Sequence, residues 1–513
     1  MDSRRTALAR ALSTTWRSTK LAQVLVVVLA LAMFGYRFMH QRTLVFINDE
    51  GFFLTAAYHD ILAKTWASAS PIAGTQGVNY GPMPIWFYRA VQTLFGFAPH
   101  TSILAMGCVV TGSQIIFAFC LTRGLRGGAY VFAAIAAFIA SSPYQFMWSR
   151  MAWDPLVDAM SCVIVAALCR KDPFAGWRPL LLGTLAGIAM SSHPMVAPLL
   201  VSVAILTVVE LRRSRMKLAR TILLASLPAA FINLPFALYV AKNFARYRTS
   251  ASTIHAHVGL ATYLARFLEP ARVAGVSGME YFFDDSWNDF VSWCGNWGPL
   301  LQSLRFPLVL AFVALAGVLL SLRSASRVAR RVAFLALFTW CGQAAFIASR
   351  GVDPHPHYQF TSWWVIAAGI ALLITWVRAR APNIAPLFMT GAWAVACVQF
   401  AFIVAWMNYV DARTGTNGIH YASPEVEERR AVRDACSRVG ANIEIDNLTH
   451  NFNIVLDYIA TVDPGCAHKA VRICGRTPHC TALADAGIPF HVYQLSYASA
   501  LGGALVIAAS PTP

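Results

Sequence analysis

An acidic pair, Asp49-Glu50, stands just after the first long apolar run of the chain. Carboxylates are costly inside lipid, so a pair at the edge of a membrane span points to a function. A carboxylate within hydrogen-bond reach of an acceptor hydroxyl removes its proton as a new bond forms, which is general base catalysis. We predict that Asp49 is such a base and that Glu50 orients it or the acceptor. The alternative is a solvated loop, or a cap of the helix that begins near Phe52.

Two arginines are suited to a phosphate, because a guanidinium is always charged and offers several planar donors. Arg150 precedes Asp154 in the sequence, and Arg350 opens a polar segment. We predict that both arginines bind a donor phosphate and that Asp154 lines the substrate cavity. Snorkelling of the arginines to lipid headgroups, and capping of the span at Pro155 by Asp154, are the alternatives.

The segment from Arg350 to Tyr358 has more polar groups than a simple turn requires. We predict that His357 and Tyr358 contact the donor phosphate, and that His355 lines the cavity together with Tyr80 of the Pro-rich run at 80–84. A divalent metal at the two histidines is an open alternative, as is a turn without function. His193-Pro194 predicts a helix break near the membrane surface.

The composition of the whole chain indicates that these candidate residues belong to a membrane protein. Of 513 residues, 57% are hydrophobic and 13% are charged, and the mean hydropathy is +0.54. The formal charge of +17 comes from short basic clusters between apolar runs, which is typical of membrane topology and excludes a nucleic-acid footprint. We therefore predict an all-α polytopic membrane protein.

Apolar runs long enough to cross a bilayer predict about 11 transmembrane helices. They lie near 21–39, 101–122, 128–147, 153–169, 179–194, 196–211, 219–241, 304–322, 332–349, 360–377 and 384–407. Alternate connections are basic, which predicts a cytoplasmic N-terminus and an external C-terminus in a bacterial inner membrane. The basic residues are Arg123/Arg126, Arg170/Lys171/Arg178, Arg212/Arg213/Arg215/Lys217/Arg220, Arg323/Arg327/Arg330/Arg331 and Arg378/Arg380.

The predicted external segments are of two kinds. Within 40–100 and 242–303, short apolar stretches at 85–97 and 262–267 predict helices that lie along the membrane surface. The division of the chain is therefore a transmembrane domain at 1–407 and a small α/β extracytoplasmic domain at 408–513. In the second domain we predict a helix at 424–439 and strands at 442–446, 453–457 and 489–494.

Four of the eleven cysteines fall in this last segment. Cys436, Cys466, Cys474 and Cys480 predict one or two disulfides in an exported domain. Free thiols and a metal site with the neighbouring histidines are the alternatives.

In their order, these motifs resemble the C-type glycosyltransferase superfamily, especially protein O-mannosyltransferases and the lipid A aminoarabinose transferase. The resemblance rests on Asn48-Asp-Glu-Gly51, Tyr80-Gly-Pro-Met-Pro-Ile-Trp-Phe-Tyr88, the run from Ala140 to Pro155, and His357-Tyr358. It implies an enzyme that takes a sugar from a polyprenyl-phosphate donor, with Asp49 as the base. Tyr80-Gly81-Pro82 lacks the basic residue of the aminoarabinose pattern, so the resemblance does not name the sugar.

The implied reaction is a single displacement with inversion, in which the acceptor is a glycan, a lipid or a protein. No cofactor is identified, and a divalent metal stays an open alternative. The partners are the membrane lipid-linked donor and the acceptor, with no nucleic acid. A transporter or flippase of a lipid-linked substrate is the alternative from another class, and an assembly protein with an exported sensor tail is a third.

Overall fold

The computed structural model of the chain describes a largely helical protein. The described residues are 20–44, 46, 49–71, 79–153, 155–251, 259–279, 283, 286–298, 307–349, 356–359, 361–413, 425–438, 452–466, 473–474, 490–494 and 504–508. The helices are α1 (Lys20–Phe38, ending in a 3-10 turn), α2 (Asp49–Leu62), α3 (Met83–Phe95), α4 (Pro99–Gly124), α5 (Gly128–Ala140), α6 (Pro143–Trp148), α7 (Leu156–Leu168), α8 (Arg178–Ser192), α9 (Ala197–Leu211), α10 (Arg215–Lys242), α11 (Phe244–Ala251), α12 (Leu260–Ala274), α13 (Ser286–Trp293), α14 (Pro307–Ser321), α15 (Arg327–Ala348), α16 (Trp364–Arg380), α17 (Ala385–Arg413), α18 (Glu425–Arg438) and α19 (Phe452–Val462).

Six helical segments within these residues are long and apolar enough to cross a membrane. They are Lys20–Phe38, Pro99–Gly124, Pro194–Leu211, Arg215–Lys242, Arg327–Ala348 and Ala385–Ala412. Three shorter apolar helices, α5, α7 and α14, lie between them. Every predicted span contains helix, so the prediction of an integral membrane protein is confirmed, whereas eleven crossings stay a prediction.

The third predicted span, 128–147, is two helices instead of one. α5 ends at Ala140 and α6 begins at Pro143, because proline has no N–H to continue the helical hydrogen bonds and favours the first helical turn. α12 also differs from prediction. It is longer than 262–267, and its second half is buried in the core, where Ala271, Val273 and Ala274 are fully covered.

Small residues allow the apolar helices to pack closely. A Cβ at Gly183 of α8 would overlap the main-chain oxygen of Ala225 in α10, and one at Gly317 of α14 would overlap that of Gly369 in α16. Close approach of this kind increases van der Waals contact between helices, which is a principal attraction inside a bilayer.

The basic connections meet at one end of the helices, which we call the basic end. Arg331 is buried and ion-paired with Glu210, and its guanidinium also donates to the carbonyls of Leu168, Arg170 and Lys171. A second contact joins α16 to the turn between α4 and α5, where Arg378 donates to the carbonyl of Gly127. These contacts bring the predicted basic connection at Arg170/Lys171 next to Arg331 and place Arg378 beside the connection that follows Arg126, whereas the side of the membrane they face stays a prediction.

The C-terminal segment contains helices and strands. α18 confirms the helix predicted at 424–439, and β2 (Phe490–Gln494) confirms the strand predicted at 489–494; it pairs antiparallel with β3 (Ala504–Ala508), which also pairs with β1 (Ile473–Cys474). The strand predicted at 453–457 is wrong, and 442–446 lies outside the described residues. Residues 452–462 form α19 because Val455, Tyr458, Ile459 and Val462 follow a helical period, and three of them are buried.

The C-terminal helices pack against the membrane-proximal part of the chain. Cys436 and Cys466 form a disulfide, which confirms one predicted bridge, while Cys480 lies outside the described residues. Burial raises the pKa of Tyr458, so its hydroxyl stays protonated and donates to the carbonyl of Phe97 at 2.6 Å. Gln92 of α3 donates to the same hydroxyl. A separate α/β domain at 408–513 stays a prediction.

Replacing Arg331 with Ala is expected to destabilise the protein by about 3 kcal/mol, because one partner of a buried pair and donors to three carbonyls are lost together. Arg327→Ala is the control. Arg327 pairs with the same Glu210 but is 55% exposed, so its loss should cost about 0–1 kcal/mol. Heat-unfolding midpoints of the purified proteins measure both changes. Equal midpoints for the two variants would contradict the role given to Arg331.

Candidate functional site

The acidic pair opens α2. The helix begins at Asp49, and Glu50 is buried, at 1% exposure. Phe53 and Leu54 in the next turn pack against Ile85 of α3 and Ile103 of α4. Acidic residues are favoured at a helix N-terminus, where the unpaired N–H groups carry partial positive charge. The packing of α2 therefore sets the position of the predicted base, although the side chain of Asp49 is outside the described atoms.

The Tyr80 segment is held from two sides. The main-chain N–H of Ser70 donates to the carbonyl of Tyr80 at 2.9 Å. On the other side, the hydroxyl of Tyr239 donates to Asn79 Oδ1 at 3.3 Å, and that of Tyr247 donates to the Asn79 carbonyl at 3.1 Å. Burial raises the pKa of Tyr247, which keeps that hydroxyl protonated as a donor.

Gly81 is where this segment touches α8. A Cβ at this position would overlap the main-chain oxygen of Ser191, so only glycine allows the approach. Pro82 and Pro84 then start α3, since proline is suited to the first turn of a helix. Glycine and the prolines together place the Tyr80 ring over the end of α8.

His193 joins the Tyr80 segment to the late segment at Tyr358. α8 ends at Ser192, and the ring of the buried His193 contacts that of Tyr80 in a tilted arrangement, with centroids 4.5 Å apart and planes at 47°. His193 Nδ1 accepts from the N–H of Met195 at 3.1 Å, so in the neutral ring the proton is on Nε2. Met195 packs against the buried Tyr358. Tyr80, His193 and Tyr358 are thus linked by a continuous path of contacts.

Hydrogen bonds from the α15 and α16 side hold the same region. Gln343 Nε2 donates to the carbonyl of Tyr358 at 2.7 Å, and Thr361 Oγ1 donates to the carbonyl of Met195 at 2.9 Å. Thr361 Oγ1 also lies 3.3 Å from Gln343 Oε1. These residues order the short 3-10 turn Pro356–Gln359, which carries the predicted phosphate ligands.

Arg150 is hydrogen-bonded to the end of α1 and to the segment that follows it. Its guanidinium, at 1% exposure, donates to the carbonyls of Arg37, Met39 and His40 and to Thr43 Oγ1, at 2.6 to 2.8 Å. All four NH1 and NH2 protons are matched by these acceptors. The structure therefore gives Arg150 a positioning role, because it holds the chain segment from Arg37, at the end of α1, to Thr43. Its contact with a donor phosphate stays a prediction.

No protein-family model matches the chain, and no curated protein matches it. Among solved structures, the fold is similar to ArnT. The crystal structure of ArnT from Cupriavidus metallidurans bound to undecaprenyl phosphate has a TM-score of 0.47 and 16% identity, covering 95% of this chain and 99% of that one. The apo structure of the same protein has a TM-score of 0.47 and 14% identity, covering 96% and 100%.

At this identity and score, the likeness to ArnT assigns neither a substrate nor a reaction to this chain.

The structure describes only some of the predicted site residues. Tyr80 and Tyr358 share one region, and Glu50 is at the start of α2. Arg350, Asp154 and His355 lie outside the described residues, as does the side chain of His357. Their predicted roles, and that of Asp49, stay predictions. Asp154 follows Trp153, whose carbonyl accepts from the hydroxyl of Tyr88 in α3 at 2.7 Å, so this turn of the chain packs beside α3.

The sequence reasoning missed a buried polar network beneath the site. Arg37 donates to Gln114 Oε1 at 2.7 Å and to the carbonyl of Ile139. Gln114 donates in turn to Asp158 at 3.0 Å, and the indole of Trp363 donates to the same carboxylate. An aspartate inside an apolar run is the signal that could have found it. His193 was identified as a helix break, which is confirmed, but its contact with Tyr80 was not predicted.

The metal alternative is not tested. Among the described residues, no group of three His, Cys, Asp or Glu could hold a metal ion. His355 and the side chain of His357, on which that alternative depends, are not among them.

Under the sequence-based prediction of a transferase, replacing Gly81 with Ala is expected to reduce sugar transfer by at least about tenfold, because the new methyl group pushes the Tyr80 segment away from α8 and a misplaced group can cost about 100-fold. Gly391→Ala in α17 is the matched control, since a Cβ there meets nothing within 4 Å. Activity per folded protein in membranes measures both. Wild-type activity in Gly81→Ala would contradict the requirement for this close contact.

Proposed function

We propose that this chain is a membrane glycosyltransferase that moves a sugar from a polyprenyl-phosphate donor to an acceptor glycan, lipid or protein. The active site is at the end of the helices opposite the basic end, on the periplasmic face of a bacterial inner membrane. The observation that carries the proposal is the path of contacts from Tyr80 through His193 to Tyr358, which joins two motifs that lie far apart in the sequence.

The direction of the helices supports two separate ends. α8 starts at Arg178 and ends beside His193, and α15 starts at the buried Arg331 turn and ends near Tyr358. A helix of 22 residues such as α15 is roughly 33 Å long, about the thickness of the hydrocarbon core. The site motifs are therefore a bilayer's width from the basic end, which the positive-inside rule assigns to the cytoplasm.

The reaction proceeds in one displacement. Asp49 accepts the proton of the acceptor hydroxyl while the oxygen bonds to the anomeric carbon, and the bond from that carbon to the phosphate oxygen breaks. The electron pair leaves with the polyprenyl phosphate, which is already an anion. Arg350, His357 and Tyr358 stabilise its charge. Glu50 orients Asp49 or the acceptor, and the configuration at the anomeric carbon inverts.

Arg150 acts in this mechanism through the main chain. Its bonds to the residues after α1 fix where α2 begins, and hence where Asp49 meets the acceptor. Tyr80, Asp154 and His355 form the cavity around the sugar. His193 keeps the Tyr80 ring beside the Tyr358 turn, so that the base and the phosphate ligands stay on opposite sides of one sugar.

Asp49→Asn is expected to reduce transfer by about 100- to 10,000-fold, the contribution of a general base. Mass spectrometry of glycans and glycolipids from cells with and without the chain measures the product and identifies the acceptor. Glu50→Gln should lose less activity. Asp411→Asn is the control, since Asp411 is an exposed aspartate on α17, and it should behave as wild type.

Sugar transfer that persists in Asp49→Asn at normal expression would show that Asp49 is not the base. A lipid-linked substrate that crosses the membrane with no new glycan or glycolipid would instead favour the transporter alternative.

A further inference from the structure

A cavity of about 1000 Å³ opens at the basic end, far from the proposed active site. It lies between the ends of α4, α7, α8 and α15. Its lining combines basic side chains with an apolar wall, and none of its described lining residues is acidic. The basic residues are Arg123, Arg126, Arg170, Lys171 and Arg327.

The wall changes from apolar to basic along α4. Ile116 and Phe119 line the cavity and are each 48% exposed, so they face the lipid side of the helix. Arg123 follows one turn later, with its guanidinium 5.9 Å from the centroid of the Phe119 ring. Arg126 comes just after the helix ends. Residues three to four apart share a helix face, so the surface passes from acyl-chain depth to headgroup depth.

Most of the charge in the cavity is not neutralised within the protein. The side chains of Arg123, Arg126, Arg170 and Lys171 form no hydrogen bond or ion pair with the residues that the structure describes, and all four are exposed. Arg327 differs, because it pairs with Glu210. Several like charges around one space repel each other, and an anion placed among them relieves that repulsion.

The turn that carries two of these charges is rigid. Arg331 donates to the carbonyls of Arg170 and Lys171, and Arg331 is itself held by Glu210. With the main chain of the turn fixed, both side chains extend from a defined position at the cavity mouth. Basic residues that only set membrane orientation need to lie in a loop and no more. Here the basic residues also line a cavity.

We propose that this cavity binds the phosphate headgroup of an anionic phospholipid from the leaflet at the basic end, with an acyl chain against Ile116 and Phe119. Basic pockets between membrane helices on the cytoplasmic side bind such headgroups in general. Anionic lipids are concentrated in the membrane itself, and the apolar wall fits a lipid and not a soluble phosphate. The proposal is independent of the sugar-transfer reaction.

Native mass spectrometry of the full-length, delipidated protein tests the proposal. Phosphatidylglycerol is titrated against phosphatidylcholine for the wild type and for Arg123→Gln/Lys171→Gln. We expect the wild type to prefer phosphatidylglycerol, and the variant to raise its Kd by at least about tenfold. The control Arg212→Gln/Arg215→Gln removes equal charge from exposed residues outside the cavity, and should stay within about twofold of wild type.

A charge-conserving variant, Arg123→Lys/Lys171→Arg, is expected to bind like the wild type, and thermal midpoints in phosphatidylcholine check that all variants are folded. Equal losses in the cavity variant and the control would overturn the proposal, because the face as a whole would then attract the lipid. Unchanged binding in the cavity variant would also overturn it. Displacement of the lipid by inorganic phosphate at similar concentration would assign the cavity to a soluble anion and overturn the lipid assignment.

Discussion

Buried arginines that donate to main-chain carbonyls are the constraint on which the rest of this structure depends. Arg37, Arg150 and Arg331 are each at most 2% exposed within an apolar bundle, where an unmatched charge costs several kcal/mol. Arg150 and Arg331 each donate to three main-chain carbonyls at or near helix ends, whereas Arg37 donates to the carbonyl of Ile139 and to Gln114 Oε1. Each guanidinium therefore joins chain segments that are distant in the sequence.

The positions of these arginines explain the two ends of the protein. Arg331 ties the turn after α7 to α9 and α15, which assembles the basic end. At the other end, Arg150 and Arg37 belong to one chain of hydrogen bonds. Arg150 donates to the carbonyl of Arg37, Arg37 donates to Gln114, and Gln114 donates to Asp158. Arg150 and Arg37 thus connect the segment that follows α1 to the bundle core through their side chains, and the proposed chemistry rests on this connection.

Much of the layout could be predicted from the sequence. Hydropathy located helix in every predicted span because a bilayer needs long apolar runs, and basic clusters identified connections that lie close together. Residue types at single positions also predicted α18, the break at His193-Pro194 and a disulfide involving Cys436. The misassigned 453–457 strand shows the limit of short apolar runs, which fit a strand or a helix until their burial is known.

The site was harder to predict because its contacts join distant parts of the chain. An arginine near a membrane surface has the same sequence signature whether it binds a phosphate, a lipid headgroup or a set of carbonyls, so the carbonyl contacts of Arg150 could not be predicted. The contact between the Tyr80 and His193 rings depends on Gly81 approaching α8, which no local pattern encodes. Asp158 was overlooked because a single carboxylate barely changes the hydropathy of its span.

We propose that the start of α2, the Tyr80 segment and the Tyr358 turn surround one donor site. A cryo-EM structure of the full chain in lipid nanodiscs with a polyprenyl phosphate would locate that site. Phosphate density is expected at the end opposite the basic end, in contact with the Arg350–Tyr358 segment and facing Asp49 across the space for the sugar. Phosphate density elsewhere, with Asp49 and Tyr358 lining unconnected surfaces, would contradict this proposal.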